Sequence, residues 1–124
     1  MSSSLPDRSL AEALYYHALD HLAAGDADVA AKEFRESIAL DPGFPDARHG
    51  LIRALQDAGE FDQAIAAARA LITLDSEDVL AHTSLSILYQ RKGMVPEAEA
   101  EALKAKLLGW KLELRDVRAA SSGK

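Results

Sequence analysis

Four histidines, a few clustered carboxylates and two closely spaced serines are the residues of this chain with chemistry to offer. His17 and His21 stand four apart, so on a helix both imidazoles reach the same side, with Asp20 beside them. That spacing suits a zinc-class ion. A zinc site takes three or four ligands, however, and the metalloprotease arrangement puts a glutamate directly after the first histidine. Ala18, Leu19 and Asp20 fill the interval instead, and His49 and His82 are isolated. The expectation is no metal and no cofactor, with both imidazoles partly packed and partly wet. The absence of cysteine removes disulfides, thiol nucleophiles and thiolate zinc sites together. Ser84 and Ser86 lack a base, because His82, two residues before Ser84, points to another side of a helix. Glu97, Glu99 and Glu101 fall in the first turns of a helix, where acids meet the positive end of its dipole. GxSxG, GxxxxGK(S/T) and GxGxxG are all absent. No catalytic residue is nominated, and the chain reads as a non-enzyme.

The elements that must position these residues follow from composition and spacing. The 124 residues are the size of one domain, and 48% hydrophobic with 27% charged is the balance of a folded chain. Aromatics are only 6% while alanine is abundant, which favours helices over strands. A net charge of −6 argues against a nucleic-acid partner, which demands the opposite sign. The charge is uneven: residues 1–80 carry 15 acids and 6 bases, residues 81–124 carry 5 acids and 8 bases. MSSSLPDRSL has no apolar run of the signal-peptide kind. The most apolar stretch, Ile65 to Leu74, is interrupted by Arg69 and is too short to span a bilayer. A cytoplasmic chain with no membrane contact is expected.

Gly25, Gly59 and Gly93 recur at a spacing of 34 residues, with Ala30, Ala64 and Ala98 five residues after them and Leu40, Leu74 and Leu108 fifteen after. Three columns sharing one period indicate a stacked array. Each period reads as two helices. The first run over Ala11–Ala24, Pro45–Ala58 and Val79–Lys92, the second over about Asp28–Leu40, Phe61–Leu74 and Pro96–Leu108. Ser9 with Glu12 forms a capping-box pattern, Asp26 is placed to cap the second helix, and Pro45 and Pro96 suit first-turn positions.

Numbered from Ala11, Pro45 and Val79, the columns resemble the tetratricopeptide repeat, whose pattern is W-x2-L-G-x2-Y, then A, F and P. Position 8 is Ala18, Ile52 and Ser86, position 20 is Ala30, Ala64 and Ala98, position 24 is Phe34, Ala68 and Ala102, and position 32 is Pro42, Ser76 and Trp110. Large Ile52 at position 8, polar Arg48 and His82 at position 4, and Trp110 in place of the closing proline depart from the pattern. The resemblance covers residues 11–112 and implies an all-α, right-handed α-solenoid of three helix-turn-helix repeats, 11–44, 45–78 and 79–112, of the kind found in small bacterial repeat proteins. Residues 1–10 are an N-terminal extension. Residues 113–124 are a capping helix and frayed tail, with Trp110, Leu112, Leu114 and Val117 supplying its buried side.

The same resemblance implies that the first helices line a concave groove that holds a peptide or helix of another protein. Their positions 4, 7, 8 and 11 pack the array, and the opposite side would bear Tyr15, Leu19 and Leu22, then His49, Arg53 and Gln56, then Leu80, Thr83, Ile87 and Gln90. Tyr15 and Arg53 are the expected anchors, on a surface where substitution leaves stability unchanged. Leu5 and Leu10 would cover that face if the chain's own N-terminus filled it. The clamp by which chaperone-binding members hold a C-terminal carboxylate resembles Lys, Asn, Asn, Lys and Arg where this chain has Tyr15, Leu19, Gly50, Leu80 and Ser84, so a chaperone tail is not the expected ligand. The reading is an adaptor for a partner protein. A self-associating structural unit, a homo-oligomer joined through the groove or the repeat ends, is the alternative.

Overall fold

The computed structural model describes residues 6–122, which form six helices: α1 Arg8–Ala23, α2 Ala27–Leu40, α3 Pro45–Asp57, α4 Phe61–Leu74, α5 Val79–Arg91 and α6 Val95–Ser122. No strand occurs among the described residues. The helices pair as three hairpins at the period read from the sequence. Each hairpin turns on a glycine in the left-handed region, Gly25 at φ 88°, Gly59 at 78° and Gly93 at 76°, where a side chain would be strained. The amide after each glycine reaches back to the preceding helix, as in Asp26 N to His21 O at 2.9 Å and Glu60 N to Leu55 O at 2.8 Å. This closes the helix end with a Schellman-type bond.

The small residues of the repeat are buried where the paired helices cross: Ala30 and Ala64 are 0% exposed and Ala98 is 1% exposed. Position 8 is likewise buried in every repeat, so large Ile52 is accommodated beside Ala18 and Ser86. One core runs from Ala18 to Ala98 through Phe34, Leu55, Leu71, Leu85 and Leu88. A smaller cluster of Ala11, Phe44 and Ala47 closes its N-terminal end. Ala64→Leu adds three carbons at a crossing with no free space. It is expected to lower the unfolding free energy by about 1–3 kcal/mol, which a denaturant titration measures.

Several local expectations are corrected. The Ser9–Glu12 capping box does not start α1. The cap is Asp7, whose side chain accepts from Leu10 N at 3.0 Å, and the Arg8 guanidinium pairs with Asp41 and stacks 4.5 Å over the Phe44 ring. That pairing holds the Asp41 carboxyl below the usual carboxylate range. Asp26 occupies the N-cap of α2 but makes no side-chain capping bond. Position 4 tolerates polarity because its side chains find partners. His82, 5% exposed, lies 2.7 Å from Glu101 and donates from Nε2 to Ser76 O at 3.0 Å, and Arg48 donates to Pro42 O.

The capping segment is not a separate helix. α6 continues from Val95 to Ser122 without a break. Both earlier second helices stop at an aspartate in extended conformation, Asp41 and Asp75, whose carboxylates accept from Gly43 N and Glu77 N two residues on. This local turn competes with the helix. The matching column in the third repeat is Gly109, followed by Trp110 where Pro42 and Ser76 stand, so nothing ends the helix. Ser121 and Ser122 are helical, and Gly123 and Lys124 lie outside the described residues. Trp110, Leu114 and Val117 do not form a buried side: they are 53%, 64% and 63% exposed, and Leu112 alone is half-buried.

Candidate partner-binding surface

α3 touches α1 and α5 directly, whereas α2, α4 and α6 touch only the helices before and after them in the chain. The first helices of the hairpins therefore form the tighter, inner layer, and the second helices splay on the outside. The inner layer is where the expected groove residues lie.

The structure divides those residues into two groups. Tyr15, Leu19 and Leu22 are half-buried and packed on the core. The Tyr15 ring lies 5.2 Å from Tyr16, 5.3 Å from Phe44 and 5.9 Å from Phe34, in edge-on or tilted contacts. Burial and the nearby Asp46 carboxylate raise its pKa. Tyr15 is thus part of the packing of the first repeat, and the expectation that its removal leaves stability unchanged is corrected. His49 is also engaged: its Nε2 lies 2.8 Å from Asp78, which in turn caps α5 by accepting from Ala81 N. Gln56 is half-buried.

The second group is open to solvent. Arg53 is 68% exposed at its side chain, held loosely by Asp57 one turn later at 3.2 Å. Leu80 and Ile87 are 57% and 42% exposed, and Thr83 and Gln90 are exposed beside them. Thr83 spends its hydroxyl on Val79 O at 3.0 Å. The available surface thus spans α3 and α5: the exposed Arg53 guanidinium, whose Nε is paired with Asp57, lies on the former and the apolar pair Leu80 and Ile87 on the latter. Leu10, one candidate for covering the groove from within, is itself 48% exposed, and Leu5 lies outside the described residues.

Two features were missed by inspection of the sequence. The first is Glu33 on α2, which meets both His17 and His21: His17 Nδ1 donates to one carboxylate oxygen at 2.9 Å and His21 Nδ1 to the other at 2.6 Å. Burial raises the Glu33 pKa, and the two imidazole bonds more than offset this, leaving it below the ordinary value; the same contact raises that of His17. Asp20, the neighbour suggested by sequence, is not part of the cluster. The available signal was the separation of twelve residues from His21, which a helix hairpin closes. The second feature is the outer stripe of α6, Leu103, Leu107, Trp110, Leu114 and Val117, each at least half exposed. Its spacing of four and three residues was visible in the sequence, but the expectation of a separate cap hid it. A hollow of about 470 Å³ is lined by Leu107, Trp110, Leu114 and the basic Lys111, Arg115 and Arg118.

No helix among the described residues is long and apolar enough to cross a membrane. No curated protein matches the chain significantly by sequence. Among solved structures it is similar to PcrH in complex with the chaperone binding region of PopB, at 22% identity and TM-score 0.81, covering 98% of each chain. It is similar to the Yersinia enterocolitica type III secretion chaperone SycD in complex with a peptide of the translocator YopD, at 24% identity and TM-score 0.79, covering 98% of this chain and 92% of that one. It is also similar to MamA, at 27% identity and TM-score 0.78, covering 83% of this chain and 60% of that one. The sequence profile of the Tetratricopeptide repeat matches residues 21–86, more than half of the chain, and with three stacked hairpins turning on Gly25, Gly59 and Gly93, the chain belongs to the tetratricopeptide repeat family.

Proposed function

We propose that this protein is a non-enzymatic interaction module that holds an extended segment of a partner protein along the inner layer. The observation that carries the reading is the set of Arg53, Leu80 and Ile87, left exposed on the layer that packs most tightly. Its occupant is an apolar peptide bearing an acidic residue. Leu80 and Ile87 remove an aliphatic side chain from water, and the planar Arg53 fork pairs with a carboxylate. The half-buried Tyr15, Leu19 and Leu22 give the groove a firm apolar floor at its N-terminal end. That similar folds are solved with bound segments of PopB and of YopD supports this use of the fold.

The test starts from a photo-crosslinking residue at Ile87, with one at exposed Ala66 on the outer layer as control. The segment captured only at Ile87 is synthesised, and its affinity is measured by fluorescence anisotropy. Arg53→Glu with Ile87→Asp is expected to keep the melting temperature of the wild type, since exposed changes usually fall within about 0.5 kcal/mol. It should weaken binding of that peptide at least about tenfold, or about 1.4 kcal/mol. Equal affinity, or equal capture at Ala66, would place recognition elsewhere.

The α6 stripe favours a second reading, association with another copy of this chain. In α2 and α4 the columns of Leu103 and Leu107 hold Arg35 and Ala39, then Arg69 and Thr73, so large apolar side chains there are peculiar to α6. Spacing of four and three is that of a two-helix seam. In a parallel pair the flanking residues would set Glu99 against Lys104 and Glu113 against Arg118 of the other copy, with Lys106 against Lys111 the one unfavourable match. Sedimentation equilibrium over a concentration series is expected to show a dimer that Leu107→Glu with Leu114→Glu converts to monomer. A monomer at every concentration sinks this reading and leaves the groove untouched.

A further inference from the structure

The histidine cluster lies away from the groove, and what it does is independent of the reading above. In the second and third repeats, positions 7 and 11 are Leu51 and Leu55, then Leu85 and Tyr89, all in the core. The first repeat replaces this apolar pair with His17 and His21, on the side of α1 that no earlier helix covers among the described residues. Contact with solvent there asks only for polar residues, and any polar residues would serve. This end has two imidazoles on successive turns of one helix and a carboxylate from the hairpin partner. One ligand atom from each of His17, His21 and Glu33 lies within 4.8 Å of the others.

The geometry is close to a coordination sphere. Metal–nitrogen bonds of about 2.0–2.1 Å set tetrahedral donors roughly 3.3 Å apart. The imidazole–carboxylate pairs stand at 2.9 and 2.6 Å, joined by protons that an ion would displace, and the ring centroids are 5.1 Å apart. Glu33 is held in place at 14% exposure, His21 is at 32%, and His17 at 68% leaves an entrance from solvent. Two nitrogens and one oxygen form a borderline donor set that suits zinc, cobalt, nickel or copper and not magnesium or calcium, which take oxygen alone.

We propose that His17, His21 and Glu33 bind one divalent transition ion of the zinc class, clasping α1 to α2 with water in the remaining position. The cluster uses neither Asp20 nor His49, which is paired with Asp78 instead, and the site is built by the hairpin rather than by the local sequence.

Zinc alone is the probe, added to the full chain after chelator treatment and dialysis. Isothermal titration is expected to show one equivalent bound, and thermal unfolding a rise in melting temperature that chelator reverses. Cobalt in place of zinc is expected to give the visible absorption of a four-coordinate site. His21→Gln and Glu33→Gln should each weaken zinc binding at least about tenfold, and His49→Gln should not change it. His17→Gln, at the most exposed of the three positions, repeats the test where folding is least at risk, and circular dichroism checks each variant. Absence of saturable zinc binding overturns the proposal, leaving the cluster as an ion-pair network. So does binding that survives His21→Gln and Glu33→Gln, or that is lost in His49→Gln.

Discussion

Phe34→Ala is expected to remove about 3–5 kcal/mol of stability, the largest loss from any single change considered. The ring is 0% exposed and sits between the first and second hairpins, with Tyr15 on one side and the backbone of α3 on the other. Truncation loses the transfer energy of the ring and leaves a hole that the flanking helices cannot fill by closing, because Gly50 already lets α3 approach. For a domain whose total stability is of order 5–15 kcal/mol, this approaches unfolding. A chemical denaturation midpoint near that of the wild type would show that the junction between the repeats is not where the structure places it.

Gly50→Val is expected to destabilise by about 1–3 kcal/mol, the second large effect, for the opposite reason. A Cβ on Gly50 would stand 2.6 Å from Cζ and 2.8 Å from Cδ1 of the Phe34 ring. That ring is fully enclosed, so the backbones must separate. Replacing a helical glycine ordinarily stabilises by about 0.5–1 kcal/mol, and here the clash outweighs that gain. Gly109 in α6 supplies the contrast: nothing lies within 4 Å of its would-be Cβ, so Gly109→Ala should stabilise. The two large effects are coupled. In Phe34→Ala with Gly50→Val, the valine grows into the space the ring vacated, and the double variant should be more stable than the sum of the single losses by about 0.5–3 kcal/mol. Strict additivity in a double-mutant cycle would mean that the two residues do not meet.

How much of this was legible differs by element. The period of the array, the six helices of the repeats and the burial of Ala30, Ala64 and Ala98 follow from sequence alone, because each is a local periodicity repeated in register. The hairpin glycines were legible for the same reason: a left-handed residue is needed at one place per turn, and one residue type fills it without strain. The length of α6 was also written in the chain, in the exchange of Asp41 and Asp75 for Gly109, but only a structure drew attention to that column.

The sites were another matter. The face assignment correctly put Arg53, Leu80 and Ile87 in the open, yet Tyr15 on the same nominal face is packed among aromatic rings from α1, α2 and the loop before α3. A helical wheel fixes the direction of a side chain relative to its own axis. It says nothing of how close the next helix comes, and at Tyr15 that distance leaves the ring half-buried against the core. Likewise, two imidazoles were visible on one helix, but the carboxylate between them arrives from α2, twelve residues beyond His21. Periodicity determines phase within a helix. Only the crossing of one helix over another, set by small side chains at the contact, decides which residues from separate elements come within bonding distance.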